Sequence, residues 1–122
     1  QTDSMDHGAS LIDARGYILQ VDRSFSSSLA HELSELIGAN IFSILPEGSA
    51  GSWRYGFKKA AESSRSIRIE NLGSDRNREH NIYPVANAGG EYDRYYIVSR
   101  DITEMRLMEK ERDALQAQLL QR

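Results

Sequence analysis

Between Asp22 and Pro46 the chain is cut into helical segments too short to stand alone, and this limits the available folds more than any other feature. Asp22 and Ser24 are N-cap residues ahead of Phe25, Leu29 and Leu33, which fall at helical spacing. Ser34 opens a second segment through Leu36 and Ile37, stopped at Gly38. Asn40 caps a third, Ile41 to Leu45, ended by Pro46. Helices of one or two turns do not persist in water, because nucleation costs more than their few hydrogen bonds return. They must lean on another surface, and the rest of the chain supplies a sheet.

Leu11 to Ala14 and Tyr17 to Asp22 are β-favouring runs around Arg15-Gly16, which reads as a hairpin. Residues 1–10 are polar and unpatterned and read as a frayed end or linker. After a loop from Gly48 to Gly51, Trp53 to Ser64 carries Trp53, Phe57, Ala60 and Ala61 on one stripe, the mark of an amphipathic helix. Beyond Ser66 the period becomes two, with Ile67 and Ile69 alternating with Arg68 and Glu70. Turn clusters at Gly73 to Asn77 and Asn87 to Gly90 separate strands at Glu79 to Val85 and Tyr92 to Arg100, an antiparallel meander. The last strand is apolar on both faces, Tyr96 and Val98 on one, Tyr95 and Ile97 on the other. Such a strand sits centrally and is covered twice, the second cover being a helix or a partner chain.

Asp101-Ile102-Thr103-Glu104 has the pattern of a capping box, with Asp101 at the N-cap and Glu104 at N3. The helix it opens carries Met105, Met108, Arg112, Leu115 and Leu119 at 3-4-3-4 spacing, a coiled-coil seam interrupted by Arg112. The alternative is a surface helix packed back on its own domain.

The 122 residues fit one domain, and 39% hydrophobic with 27% charged residues is an ordinary globular composition. A net charge of -3 gives no global basic field for nucleic acid or an anionic membrane. The chain has no cysteine, so disulfides, thiolate nucleophiles and Cys-ligated metals are excluded. No apolar run approaches the ~20 residues of a membrane span. A chain opening at Gln1 and stopping at Arg122 within a helical pattern reads as a piece of a larger protein.

Gly16-Tyr17-Ile18-Leu19-Gln20-Val21-Asp22, then Glu35-Leu36-Ile37-Gly38-Ala39-Asn40-Ile41-Phe42-Ser43-Ile44-Leu45-Pro46, then Tyr83-Pro84-Val85, Gly90 and Ser99-Arg100-Asp101-Ile102-Thr103-Glu104 together resemble a PAS domain. Asp22 stands where that family usually has Asn. The resemblance spans residue 11 to about residue 104. It implies an α+β fold: a five-stranded antiparallel sheet with short helices over one face and a C-terminal exit helix. The expected division is a tail at 1–8, the sensory domain at 9–103 and the start of a coiled-coil signalling helix at 104–122.

The resemblance implies a module that passes a ligand- or partner-induced change through Asp101, Ile102 and Thr103 to the exit helix. Met105, Met108, Leu115 and Leu119 would pack in a homodimer formed through that helix, the sheet or both. Glu109 to Arg122 is similar to the linker that enters sensor histidine kinases. The expected output domain is therefore a histidine kinase of a two-component system in the same chain, with a diguanylate cyclase or a ligand-free scaffold as alternatives. This fragment itself is read as non-enzymatic and cytoplasmic, with no contact to nucleic acid or membrane.

A ligand pocket between helices and sheet would draw on Leu33, Leu36, Ile41, Phe42, Leu45, Phe57, Ile69, Tyr83 and Val98, with Trp53 able to stack and His80, Asn81 and Arg54 as polar contacts. The competing reading is that these residues simply fill the core. No cofactor is expected. Haem-binding members ligate iron from the longer helix, and Trp53 to Ser64 holds no histidine. The flavin–cysteinyl adduct needs a cysteine. Ser28 near His31 lacks the orienting acid of a nucleophilic site, and His7, His31 and His80 form no metal motif. Lys58, Lys59, Arg65 and Arg54 read as a solvated helix face.

Overall fold

In the computed structural model the described residues are 7–29, 31–46, 48–72 and 76–121. Two strands, β1 (His7–Asp13) and β2 (Ile18–Val21), are followed by the short helices α1 (Arg23–Leu29), α2 (Leu33–Leu36) and α3 (Ile41–Ile44). The longer α4 (Ala50–Ser63) leads into β3 (Ile67–Leu72), β4 (Asn77–Ala86) and β5 (Tyr92–Asp101), and α5 (Thr103–Leu120) ends the chain. The strands form one antiparallel sheet in the order β2-β1-β5-β4-β3, which puts β5 at its centre as its two apolar faces require.

Each short helix is closed by local chemistry. Asp22 Oδ1 accepts the Phe25 N–H at 2.9 Å, and its Oδ2 accepts the Ala9 N–H at 3.0 Å, so one carboxylate caps α1 and ties it to β1. Asn40 Oδ1 accepts the Phe42 N–H at 3.0 Å at the start of α3. Gly38 turns the chain after α2 at φ 88°, where a side chain would be strained. Leu33 opens α2 instead of continuing α1.

The helices cover one face of the sheet. Register fixes which residues meet them: Ile82 lies opposite Ile97, His80 opposite Ser99, and Ile12 opposite Tyr95. These residues are buried, together with Ile18, Phe25, Leu36, Ile41, Trp53, Phe57 and Ala60. An aromatic run crosses the core. Phe25 meets Trp53 edge-on at 6.4 Å, Trp53 meets Phe57 at 6.3 Å, and Phe57 stacks on Tyr95 at 4.2 Å.

β1 starts at His7, four residues before the expected hairpin strand, and pairs with β5 from His7 opposite Arg100 to Asp13 opposite Arg94. Its inward positions there are Gly8 and Ser10, small residues that hide the alternation. A Cβ on Gly8 would stand 2.7 Å from the Phe25 nitrogen, so α1 lies directly on this strand. The expected turn residues Gly73, Ser74 and Asp75 lie outside the described residues.

Candidate functional site

Leu36, Ile41, Trp53, Phe57 and Ile69, expected as pocket walls, are buried in a single contiguous cluster, with Phe42 and Leu45 packed against it. Leu33 is half-buried and lines a surface groove with Arg23, His31 and Glu35. Tyr83, Val98 and Asn81 point the other way. Register sets Tyr83 opposite Tyr96 and Asn81 opposite Val98, on the sheet face away from the helices. They are not walls of an inner pocket. Both alternation phases of β4 carry apolar residues, so period two could not choose between its faces. Arg54 lies over the Phe42 ring at 3.9 Å instead of reaching inward.

The polar centre of the inner face is His80. Its Nδ1 shares a 2.7 Å hydrogen bond with the Ser99 hydroxyl, and its ring lies 4.7 Å from that of Trp53. Burial, helped by the Arg78 charge, pushes the imidazole down to about 4, against an opposing pull from Glu79. Among the described residues the buried Trp53 Nε1 and Ser10 Oγ have no hydrogen-bond partner. His31 faces Glu35 at 3.6 Å on the surface, and Ser26 donates to the His31 carbonyl. The Ser28 side chain lies outside the described residues. Among the described residues no three His, Asp or Glu side chains converge as metal ligands.

At the strand–helix junction, a single residue separates β5 from α5. Ile102 is 2% exposed, and its N–H donates to the Asn77 carbonyl at 2.9 Å. Asp101 Oδ1 accepts the Thr103 N–H at 2.9 Å, and its Oδ2 faces Arg76 at 3.2 Å. The Thr103 hydroxyl accepts the Asn77 N–H at 2.8 Å. Burial pushes the Asp101 carboxyl up, but the bonds from Thr103 and the charges of Arg76 and Arg78 outweigh it and hold the group below the usual carboxylate range. The expected capping box is replaced by this arrangement. Backbone geometry makes Ile102 the N-cap, and the helix starts one residue later. Asp101 still satisfies a first-turn N–H, but from the end of the strand, because Ile102 is taken into the core.

The outer face carries a row of charges that sequence reasoning missed. Arg100 on β5 meets Glu79 on β4 at 3.2 Å, and Glu79 meets Arg68 on β3 at 2.7 Å. Arg68 meets Glu70 at 2.8 Å, Glu70 meets Arg106 on α5, and Arg106 meets Glu109 at 2.8 Å. Glu79 is 6% exposed; burial raises its carboxyl, yet Arg68 and Arg100 outweigh that and hold it low. The only sequence signal was the polar phase of β3, Arg68 and Glu70. Their partners depend on strand register.

Along α5 no residue is buried, and from Lys110 to Gln121 every residue is exposed. Met105 is 37% exposed, and Met108, Leu115 and Leu119 are 63, 62 and 63% exposed. The helix therefore does not pack along its own domain. None of the described helices is long and apolar enough to cross a membrane.

A domain of an HTR-like protein from Haloarcula marismortui superposes with a TM-score of 0.69 at 26% identity, over 80% of this chain and 98% of that one. A sensory box sensor histidine kinase from Vibrio cholerae gives 0.71 at 17%, over 83% and 86%. The PAS domain of BvgS from Bordetella pertussis gives 0.66 at 15%, over 94% and 91%. No curated protein matches the sequence. The model of the PAS fold matches residues 2–107, which take in the whole sheet, its covering helices and the start of α5, and the chain belongs to that family.

Proposed function

We propose that this chain is a sensory module that relays a conformational change from its sheet through α5 to an output domain, a histidine kinase in the same protein. The observation that carries the reading is the junction. β5 is the central strand, and it passes into α5 through one buried residue, Ile102, so a shift of the strand is delivered to the helix without a slack loop. The kinase output rests on the likeness of Glu109 to Arg122 to a kinase linker and on the sensor histidine kinase among the structural neighbours. A diguanylate cyclase is the competing output.

In this reading a homodimer forms through α5, where Met105, Met108, Leu115 and Leu119 are exposed, and through the outer sheet face around Tyr83, Tyr96 and Val98. A ligand or partner drives the change only by binding one arrangement better than the other.

Asp101→Ala tests the relay in the full-length protein, with autophosphorylation as the readout. The variant is expected to fold and to lose regulation, since it frees the Thr103 N–H and Arg76 together. Unchanged regulation would count against the relay, and cyclase activity in place of phosphoryl transfer would overturn the kinase assignment.

A further inference from the structure

The charged row on the outer face forms a closed mechanical circuit. β5 reaches α5 covalently through Ile102. It also reaches α5 sideways, from Arg100 to Glu79 on β4, to Arg68 and Glu70 on β3, and back to Arg106 on the helix. Arg106 lies one turn into α5, with its N–H donating to the Ile102 carbonyl at 2.9 Å. A helix held only at its first residue pivots there. A helix held also one turn further on, by a different strand, does not.

We propose that this row is a latch that fixes the orientation of α5, with Glu70–Arg106 as its release point. Signs alternate along the row, three arginines and three glutamates including Glu109, so each inner carboxylate is shared by two cations. Glu79 anchors the row from a buried position, where loss of either arginine leaves a desolvated carboxylate under-compensated. Glu70 and Arg106 are more open, with side chains 22 and 31% exposed, and their contact is the one that parts without disturbing the core. Opening it turns a clamped helix into one hinged at Ile102.

The latch rests on α5 being the output element, but its test reads the helix within this chain alone. The chain has no cysteine, so cysteines introduced at the exposed Lys58 on α4 and Gln116 on α5 take spin labels cleanly. Pulsed electron paramagnetic resonance on labelled chain diluted into unlabelled chain gives the distance distribution. Amide exchange over Thr103 to Met108 gives the local opening.

Arg106→Gln is expected to broaden the distribution and to speed exchange in that turn about fivefold, through loss of its ion pairs to Glu70 and Glu109. Exchange at Ile82 and Ile97 in the core should not change. Glu70→Gln should act in the same direction, and because the two variants share the Glu70–Arg106 contact the double variant should fall short of the sum of the single effects. A narrow distribution and parental exchange in Arg106→Gln would overturn the latch, as would fully additive effects in the double variant. Arg106 sits on the helix and outside the core, so this variant keeps the test decisive even if Glu70→Gln fails to fold. Overturning the latch would leave α5 as the proposed output element, which the Asp101→Ala measurement addresses separately.

Discussion

Lowering the pH from about 7 to about 5 is expected to destabilise the fold by about 2 kcal/mol through His80 alone. The imidazole is 5% exposed, bonded to Ser99 and against the ring of Trp53. Burial first, and the Arg78 charge second, move it from 6.5 to about 4. In the unfolded chain it titrates near its ordinary value. Between those two values the unfolded state binds the extra proton and the folded state does not, so stability rises with pH across the window. The contribution is complete above about pH 6.5 and is lost progressively toward pH 4. At about 1.4 kcal/mol per pH unit the whole window is worth about 3 kcal/mol, most of it already gone at pH 5.

The assay is urea unfolding at both pH values, for the parent and for His80→Gln, which cannot titrate and can still bond Ser99. Glu79 and Asp101 are held low in the folded state, so their stabilisation persists above the ordinary carboxylate range and falls away only in stronger acid. They therefore change little at pH 5. The parent should lose about 2 kcal/mol and the variant a small fraction of that. Equal losses in the two proteins would refute the assignment of a neutral, buried His80.

Gly8→Ala is expected to cost about 2 kcal/mol, because the new Cβ would lie 2.7 and 2.8 Å from the Phe25 nitrogen and Cα, backbone atoms that cannot rotate away. Gly56→Ala should cost less: its Cβ meets the Ile82 Cδ1 at 2.5 Å, the end of a flexible side chain, and alanine favours the helix. Denaturant midpoints check the order, and a reversal would show that α1 can lift from β1. Leu115→Lys with Leu119→Lys should abolish helix-mediated self-association in sedimentation experiments while leaving the thermal midpoint nearly unchanged, since both side chains are exposed in the single chain. A lowered midpoint with self-association intact would mean that these leucines pack on their own domain.

Much of the fold was legible because it is written locally. Asn40 caps α3, Gly38 ends α2, and Pro46 follows α3, each through a preference that acts within a few residues. The strands of the meander were legible from period two and their turn residues. The centrality of β5 followed from apolar residues on both its faces. The strand–helix junction was legible at Asp101, Ile102 and Thr103, where strand and helix chemistry meet in consecutive residues. The inner face was misread at Tyr83, Val98 and Asn81, where alternation left either side of the strand open.

The sequence by itself determined most of the elements and their order, because hydrophobic period, caps and turns are properties of short stretches. Only the tertiary structure decided which face of β4 meets the helices, how far β1 extends, and that Glu79, Arg68 and Glu70 connect Arg100 to α5. Those facts depend on register between segments distant in the chain: Glu70 and Arg106 are 36 residues apart. A one-residue slip would send every one of those side chains to the opposite face.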